Sequence, residues 1–267
     1  MLADFFYGHP GYIVGPVVVG FFTLLGLAGQ VLIFRLVPAR LRDENRDATI
    51  YMASTVGIIY AVLLAFIAVA AWENYNNAGE VAVDEASQIA NLYRSSRLLE
   101  SWPGDEVGRR LELYVETVVG EEWPAMAAGR PVSENGAMLL EEVAELLAKS
   151  LPNDAKSAAL LQEMLSRLHD AYEARKKRLL AADEALNPSI WVVQLLGGLI
   201  SLGFCWIFGA PHRGFHMVAT SLVATAFGLV IFLIVSFDHP YRGAVQIGPD
   251  PFQRLHGSIE RMKATPH

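Results

Sequence analysis

Few side chains in this sequence have a type and spacing suited to chemistry. Seven histidines and one cysteine are present. His212 and His216 stand four apart, which on a helix would place both on one face for a metal. Gly214 and a tight turn between them interrupt that register, and no metal site is expected. Cys205 lies alone in an apolar run, which leaves no disulfide framework and no cysteine-rich metal site. Glu121-Glu122 beside Trp123 could hold a cation, although such a pair is ordinarily a solvated helix end. The sequence contains no phosphate-binding loop and no nucleophile elbow. Four apolar runs, residues 13–34, 54–72, 189–208 and 217–237, hold no Asp, Glu, Lys, Arg or His. Buried ionisable groups mark ion-coupled transporters and proton relays, so their absence argues against both. It argues equally against hydrolysis at membrane depth. No catalytic residue, no cofactor and no enzymatic activity are expected.

What remains is a stripe in the second run, STVGIIYAVLLAFIAVAAW. Ile59, Val62, Leu63 and Phe66 follow an i, i+3, i+4, i+7 pattern. In a helix that is apolar all round, such a stripe ordinarily packs against neighbouring helices. If several copies met around an axis, it would form a hydrophobic constriction that gates by dewetting. The turns that follow would then bring Glu73 and Glu80 to the wet mouth, where acidic rings favour cations. The basic run that contains Arg175 and Arg178 is expected near the same membrane face and would favour anions.

These positions need elements to hold them. Hydrophobic residues make up 53% of the chain and charged residues 18%, against roughly 25% charged in a soluble domain. The apolar residues gather in long runs around an ordinary soluble middle, which marks a polytopic membrane protein. The second run is nineteen uncharged residues from Ser54 to Trp72, about enough to cross roughly 30 Å of hydrocarbon as a helix. It enters Glu73, Glu80, Asp84 and Glu85 without a proline, which predicts one helix leaving the membrane for a soluble region. The expected organisation is a first transmembrane pair over residues 1–72 and a soluble helical insertion over 73–187. A second pair over 188–237 and a C-terminal tail over 238–267 complete it. The fold class is all-α, with four spans and an inserted helical bundle.

Residues 73–184 carry 21 acidic and 12 basic side chains, a balance of −9. That excludes nucleic acid as a partner, because neutralising phosphates requires a basic footprint. Helical stripes predict a bundle. Val81, Val83, Ile89, Leu92, Tyr93 and Leu99 form the first. Val107, Leu111, Tyr114, Val115 and Val118 form the second, which is expected to stop at Glu122-Trp123-Pro124. Met138, Leu139, Val143, Leu146 and Leu147 form the third, and Leu160, Leu161, Met164, Leu165, Leu168 and Tyr172 the fourth. In the first span Gln30 is expected to hydrogen-bond another helix. Thr220, Ala224 and Gly228 form a small-residue ridge. The first twelve residues carry no lysine or arginine, so the first span is expected to be retained rather than cleaved. Four crossings put both termini and the insertion on one side. The arginines of residues 35–46 make the first connector cytoplasmic and the insertion external. Arg175 to Arg178, Arg242 and Arg254 favour the reverse.

The stretch after the last span, Asp238-His239-Pro240-Tyr241-Arg242-Gly243 and then Pro249-Asp250-Pro251-Phe252, reads as a helix stop and an ordered turn. Asp238 is expected to cap the Tyr241 or Arg242 amide or to pair with Arg242. The pattern Asp-x-Pro-aromatic-x-Gly with Pro-x-Pro-Phe resembles the bestrophin-like family of uncharacterised four-pass bacterial membrane proteins. Further matches are Val62-Leu63-Leu64-Ala65-Phe66 with Trp72-Glu73, Glu85-Ala86, Tyr93-Arg94 and Glu122-Trp123-Pro124. Arg175 and Arg178 ahead of Pro188 and Trp191 complete the set, which spans nearly the whole chain.

The resemblance implies kinship to bestrophins, pentameric anion channels with a hydrophobic neck on the second span and a cytosolic helical region. It makes Ile59, Val62, Leu63 and Phe66 neck candidates and places the insertion in the cytoplasm. The sequence lacks an acidic calcium-clasp run, so calcium gating is not implied. The expected protein is therefore an oligomeric, anion-conducting channel of the bacterial inner membrane. Its expected partners are the lipid bilayer, small ions and further copies of itself. The rival readings are a non-conducting sensor or scaffold and a cation channel with acidic mouth rings.

Overall fold

The structure, a computed structural model, describes residues 7–44, 46–99, 103–207, 212–243 and 245–264. No strand occurs among them. Four helices are long and apolar enough to cross a membrane, and the protein is a multi-pass, all-α membrane protein. The chain divides into two compact units. One comprises residues 1–75, 185–239 and 243–245, and the other residues 76–184, 240–242 and 246–267.

The membrane unit contains α1 (Gly11–Leu36), the short α2 (Ala39–Glu44) and the first part of α3 (Arg46–Ser96). It is completed by α8 (Pro188–Ile207) and α9 (Arg213–Asp238). In lipid, helices associate through close packing and hydrogen bonds, because burying apolar surface gains nothing there. The ridge Thr220-Ala224-Gly228 meets α1 on that principle. A Cβ at Gly26 would lie 2.7 Å from Ala224 Cβ, and one at Gly228 would lie 2.9 Å from the Val19 Cα. The Thr23 and Thr225 hydroxyls bond each other at 2.9 Å. Gln30 is fully buried. Its amide donates to the Trp206 carbonyl at 3.3 Å and accepts from the Thr220 hydroxyl at 3.1 Å, the interhelical bonding expected of it. Tyr60 of α3 donates to the Gln194 carbonyl of α8 at 2.8 Å.

The soluble unit takes the rest of α3, then α4 (Gly104–Thr117), a π-helical turn (Val118–Glu122) and α5 (Trp123–Ala127). It continues with α6 (Asn135–Ala148), α7 (Ala155–Asp183) and α10 (Asp250–Ala264). Val107, Leu111, Tyr114, Val115 and Val118 all reach zero exposure in its core. Val83, Met138 and Leu165 were expected inside and are 49%, 50% and 42% exposed. Ala82 and Leu140, which lie outside the expected stripes, are buried, while Met164, Val143, Leu147, Ile89 and Leu92 are buried as their stripes predict.

Two elements differ from the sequence expectation. The helix does not stop at Glu122-Trp123-Pro124. It widens into the π turn, and Trp123 stays helical at φ −61° and ψ −48°. Pro124 falls in the first turn of α5, where its fixed φ suits the helix. The tail is also not merely a turn. Pro249–Asp250–Pro251 opens α10, whose Phe252, Leu255 and Ile259 are buried in the soluble core.

Candidate pore face and buried charge cluster

At about 3.6 residues per turn, α3 has distinct faces. Tyr60, Leu64, Ile67 and Ala71 are buried at 4%, 6%, 8% and 1% exposure and pack against the membrane unit's own core. On the other side, Ile59, Val62 and Phe66 are 66%, 51% and 72% exposed. Leu63 lies between, half-buried against that core. Three of the four neck candidates are therefore largely uncovered by the described helices of their own unit. The spacing 59, 62, 66, 69, 73 alternates three and four residues, so Val69 and Glu73 continue the same stripe. Val69 is 49% exposed. Glu73 and, further along α3, Glu80 are exposed.

Arg175 and Arg178 are placed differently from the expectation. Neither guanidinium lines a surface. Arg178 is fully buried and Arg175 is 9% exposed. They stand three apart on α7, on a stripe that runs 164, 168, 171, 175, 178, and so continue the apolar face of Met164, Leu168 and Ala171. Glu85 likewise continues the α3 face of Ala78, Ala82, Ile89 and Leu92. A charge in phase with an apolar stripe was the available signal, and a basic run near a helix end concealed it.

The cluster these residues form is charge-balanced. Arg178 Nε donates to Glu85 Oε2 at 2.7 Å, and its Nη2 donates to Glu85 Oε1 at 3.0 Å and to Glu122 Oε2 at 2.6 Å. Arg175 Nη2 donates to Glu122 Oε1 at 2.7 Å. The Tyr114 hydroxyl donates to Glu85 Oε1 at 2.5 Å. Trp123 and Phe252 cover the Arg178 guanidinium at 5.3 and 5.7 Å. Burial alone would lower the Arg178 pKa, but the Glu85 and Glu122 carboxylates outweigh it and hold it well above the ordinary value. Burial, reinforced by the Glu85 charge, pushes the Tyr114 phenol well above its usual pKa. The π turn supplies Glu122, and Gly136 of α6 makes room for it, since a Cβ there would sit 2.1 Å from Glu122 Oε1. Wide turns of this kind commonly mark positions where a helix must re-aim a side chain. Glu121 faces the other way and accepts from Asn135 at 2.8 Å, so the two neighbouring carboxylates do not act as a pair.

The motif after α9 is also bonded differently from the expectation. Asp238 Oδ1 accepts from the Leu186 amide at 2.7 Å, and Oδ2 accepts from the Tyr7 hydroxyl at 2.8 Å. It caps the chain entering α8 rather than its own turn. Arg242 Nε donates to the Met126 carbonyl at 3.2 Å. The Pro240 carbonyl accepts from the Ile247 amide at 2.8 Å. Gly243 sits at φ +86°, a conformation that favours glycine. The Tyr241 hydroxyl donates to the Ala78 carbonyl at 3.0 Å, and burial raises its pKa. His216 Nε2 lies 2.8 Å from the Cys205 carbonyl and its Nδ1 is 3.5 Å from the Gln30 amide, whereas His212 lies outside the helix as the N-cap of α9. Among the described residues no group of three metal-ligating side chains forms.

No curated protein matches the chain. Among solved structures, a variant of a bacterial bestrophin homologue from Klebsiella pneumoniae is similar at a TM-score of 0.70 and 13% identity, covering 92% of this chain and 99% of that one. A second structure of a Klebsiella pneumoniae bestrophin homologue is similar at a TM-score of 0.64 and 15% identity, with 92% and 99% coverage. At these identities the likeness is one of fold. The family model of the bestrophin-like domain matches residues 20–252, from the middle of α1 to the start of α10, and on that match the chain belongs to the bestrophin-like family.

Proposed function

We propose that several copies of this chain, five by resemblance to bestrophins, surround an axis and conduct small ions across a bacterial inner membrane. The observation that carries this reading is the α3 stripe. In one chain, Ile59, Val62 and Phe66 are left uncovered by the protein's own helices. A lipid-facing stripe needs no particular order, whereas this one runs in phase into Glu73. Copies meeting along it would form an aliphatic and aromatic neck that water leaves readily. Family kinship supports anions as the conducted species.

A second reading, cation conduction, has its own support. Of the four side chains named for the mouth, the carboxylates of Glu73 and Glu80 are exposed, while Arg175 and Arg178 are buried. Lys176 and Lys177 are the exposed cations of that basic run. Reversal potential under a salt gradient separates the two readings. Purified protein in liposomes tests both: flux above the lipid background supports a channel. No flux at any voltage or pH leaves the sensor or scaffold reading. A cysteine in place of Arg130, with Cys205 replaced, reports the side of the soluble unit to an impermeant thiol reagent, and the family reading expects the cytoplasm.

A further inference from the structure

At the end of the membrane unit where α1 gives way to α2, two cationic side chains gather at one aromatic ring. Arg42 of α2 is 7% exposed. Its guanidinium lies 4.6 Å above the ring of Phe34, and its Nε is buried with no hydrogen-bond partner. Arg213, the first residue of α9, brings a second guanidinium to 5.8 Å from the same ring. Among the described residues neither arginine forms an ion pair. A guanidinium cannot shed its proton, and a buried one without an anion is costly. Stacking on Phe34 occupies the face of the Arg42 guanidinium and leaves its edge, where the N–H donors lie. Two like charges directed at one ring repel, and an anion lying against both relieves that repulsion.

Location narrows the anion. Phe34 is two residues from the end of α1, and Arg213 opens α9, so the cluster stands at the depth where phospholipid phosphates lie. Leu36, Leu41 and Phe215 nearby in the chain are 68%, 52% and 74% exposed, apolar surface of the kind acyl chains cover. Basic pockets between membrane helices hold anionic headgroups on this principle.

We infer that Arg42, Arg213 and Phe34 form a site for a phosphate group, filled by the phosphodiester headgroup of an anionic phospholipid. The site is independent of conduction and needs only that the protein is in a membrane. The test uses the full-length protein delipidated in detergent, then titrated with phosphatidylglycerol, phosphatidylcholine or inorganic phosphate. Bound lipid is counted by native mass spectrometry and the unfolding midpoint is followed in parallel. The site predicts retained phosphatidylglycerol and a raised midpoint, with phosphatidylcholine much weaker. Affinity for phosphatidylglycerol should fall about tenfold in Arg42→Gln, as loss of charge-assisted hydrogen bonds implies. Arg213→Gln, at an exposed position, should weaken it several-fold and keeps the test alive should Arg42→Gln fail to fold. Equal retention of both lipids, or unchanged affinity in the folded variants, overturns the site. Millimolar phosphate matching the effect of phosphatidylglycerol overturns the lipid assignment in favour of a free anion.

Discussion

In the soluble unit a fully buried arginine is held by two fully buried carboxylates, whereas among the described residues of the membrane spans the fully buried polar side chains are the neutral amides of Gln30 and Gln194. The contrast follows from what each unit can surround a polar atom with. Arg178 forms four hydrogen bonds to Glu85, Glu122 and Met126, each set by a different segment. Gln30 finds its partners on neighbouring helices without carrying a charge. The units also differ in closure. The soluble core closes on itself through α10. The membrane unit leaves Phe66, Leu24 and Leu222 at 72%, 67% and 65% exposure, which lipid or further copies must cover.

The largest effect is expected from unbalancing the buried charges. Arg178→Met leaves Glu85 and Glu122 without their shared guanidinium, and removing one partner of a buried pair typically costs about 3–5 kcal/mol. The soluble unit should lose protection in hydrogen exchange, and the unfolding midpoint of the purified chain should drop by many degrees. A midpoint unchanged from the natural protein would mean that the four charges are dispensable. A smaller loss is expected from Gly136→Ala, whose new Cβ meets Glu122 Oε1 and forces that carboxylate off both arginines. Crowding of this kind costs about 1–3 kcal/mol, and the same hydrogen-exchange readout should show it centred on the π turn and α7.

Which parts were legible follows the same division. The spans could be found because nineteen uncharged residues have few other uses, and Val107 to Val118 could be found because the helical period is strong. Trp123-Pro124 misled, because the residue before proline usually leaves the helix, and only packing reveals that a wider turn absorbs it. The α10 helix was hidden by Pro249 and Pro251, which signal a turn as readily as a helix start. Arg178 was hidden by Lys176 and Lys177, exposed neighbours that make the run look solvated. The partners of Asp238 lie 52 and 231 residues away, a separation no local pattern encodes.

The two faces of α3 offer a comparison within one element. Leu64→Ala opens a cavity in the membrane unit and should cost about 2–4 kcal/mol. Phe66→Ala, on the uncovered face, should change the stability of a single chain by no more than about 0.5 kcal/mol. In bilayer recordings the order should invert among variants that still fold: Phe66→Ala widens and loosens the neck, raising conductance or leak, while Ala at an exposed apolar position on another helix, such as Leu222 of α9, leaves current unchanged. Thermal unfolding in detergent checks the first half and single-channel current the second. Conductance and gating unaffected by Phe66→Ala would remove that side chain from the pore.

The smallest effect concerns pH. The Tyr114 phenol titrates well above its ordinary value of 10.0 because it is buried beside the Glu85 carboxylate. Its protonated form therefore favours the fold. That contribution is complete below the ordinary tyrosine range. It declines as pH rises above it, because the unfolded chain then sheds a proton that the folded chain still keeps. Tyr114→Phe removes the hydrogen bond to Glu85 and should cost about 1 kcal/mol near neutral pH. The variant has no phenol to titrate, so its stability should fall less steeply with alkali, and the two curves should approach each other from about pH 10 upward. Denaturant titrations of both proteins across that range measure the gap. Parallel curves would show that the phenol proton is lost as easily in the folded chain as in the unfolded one, and that the soluble core is wetter around Glu85 than its zero exposure implies.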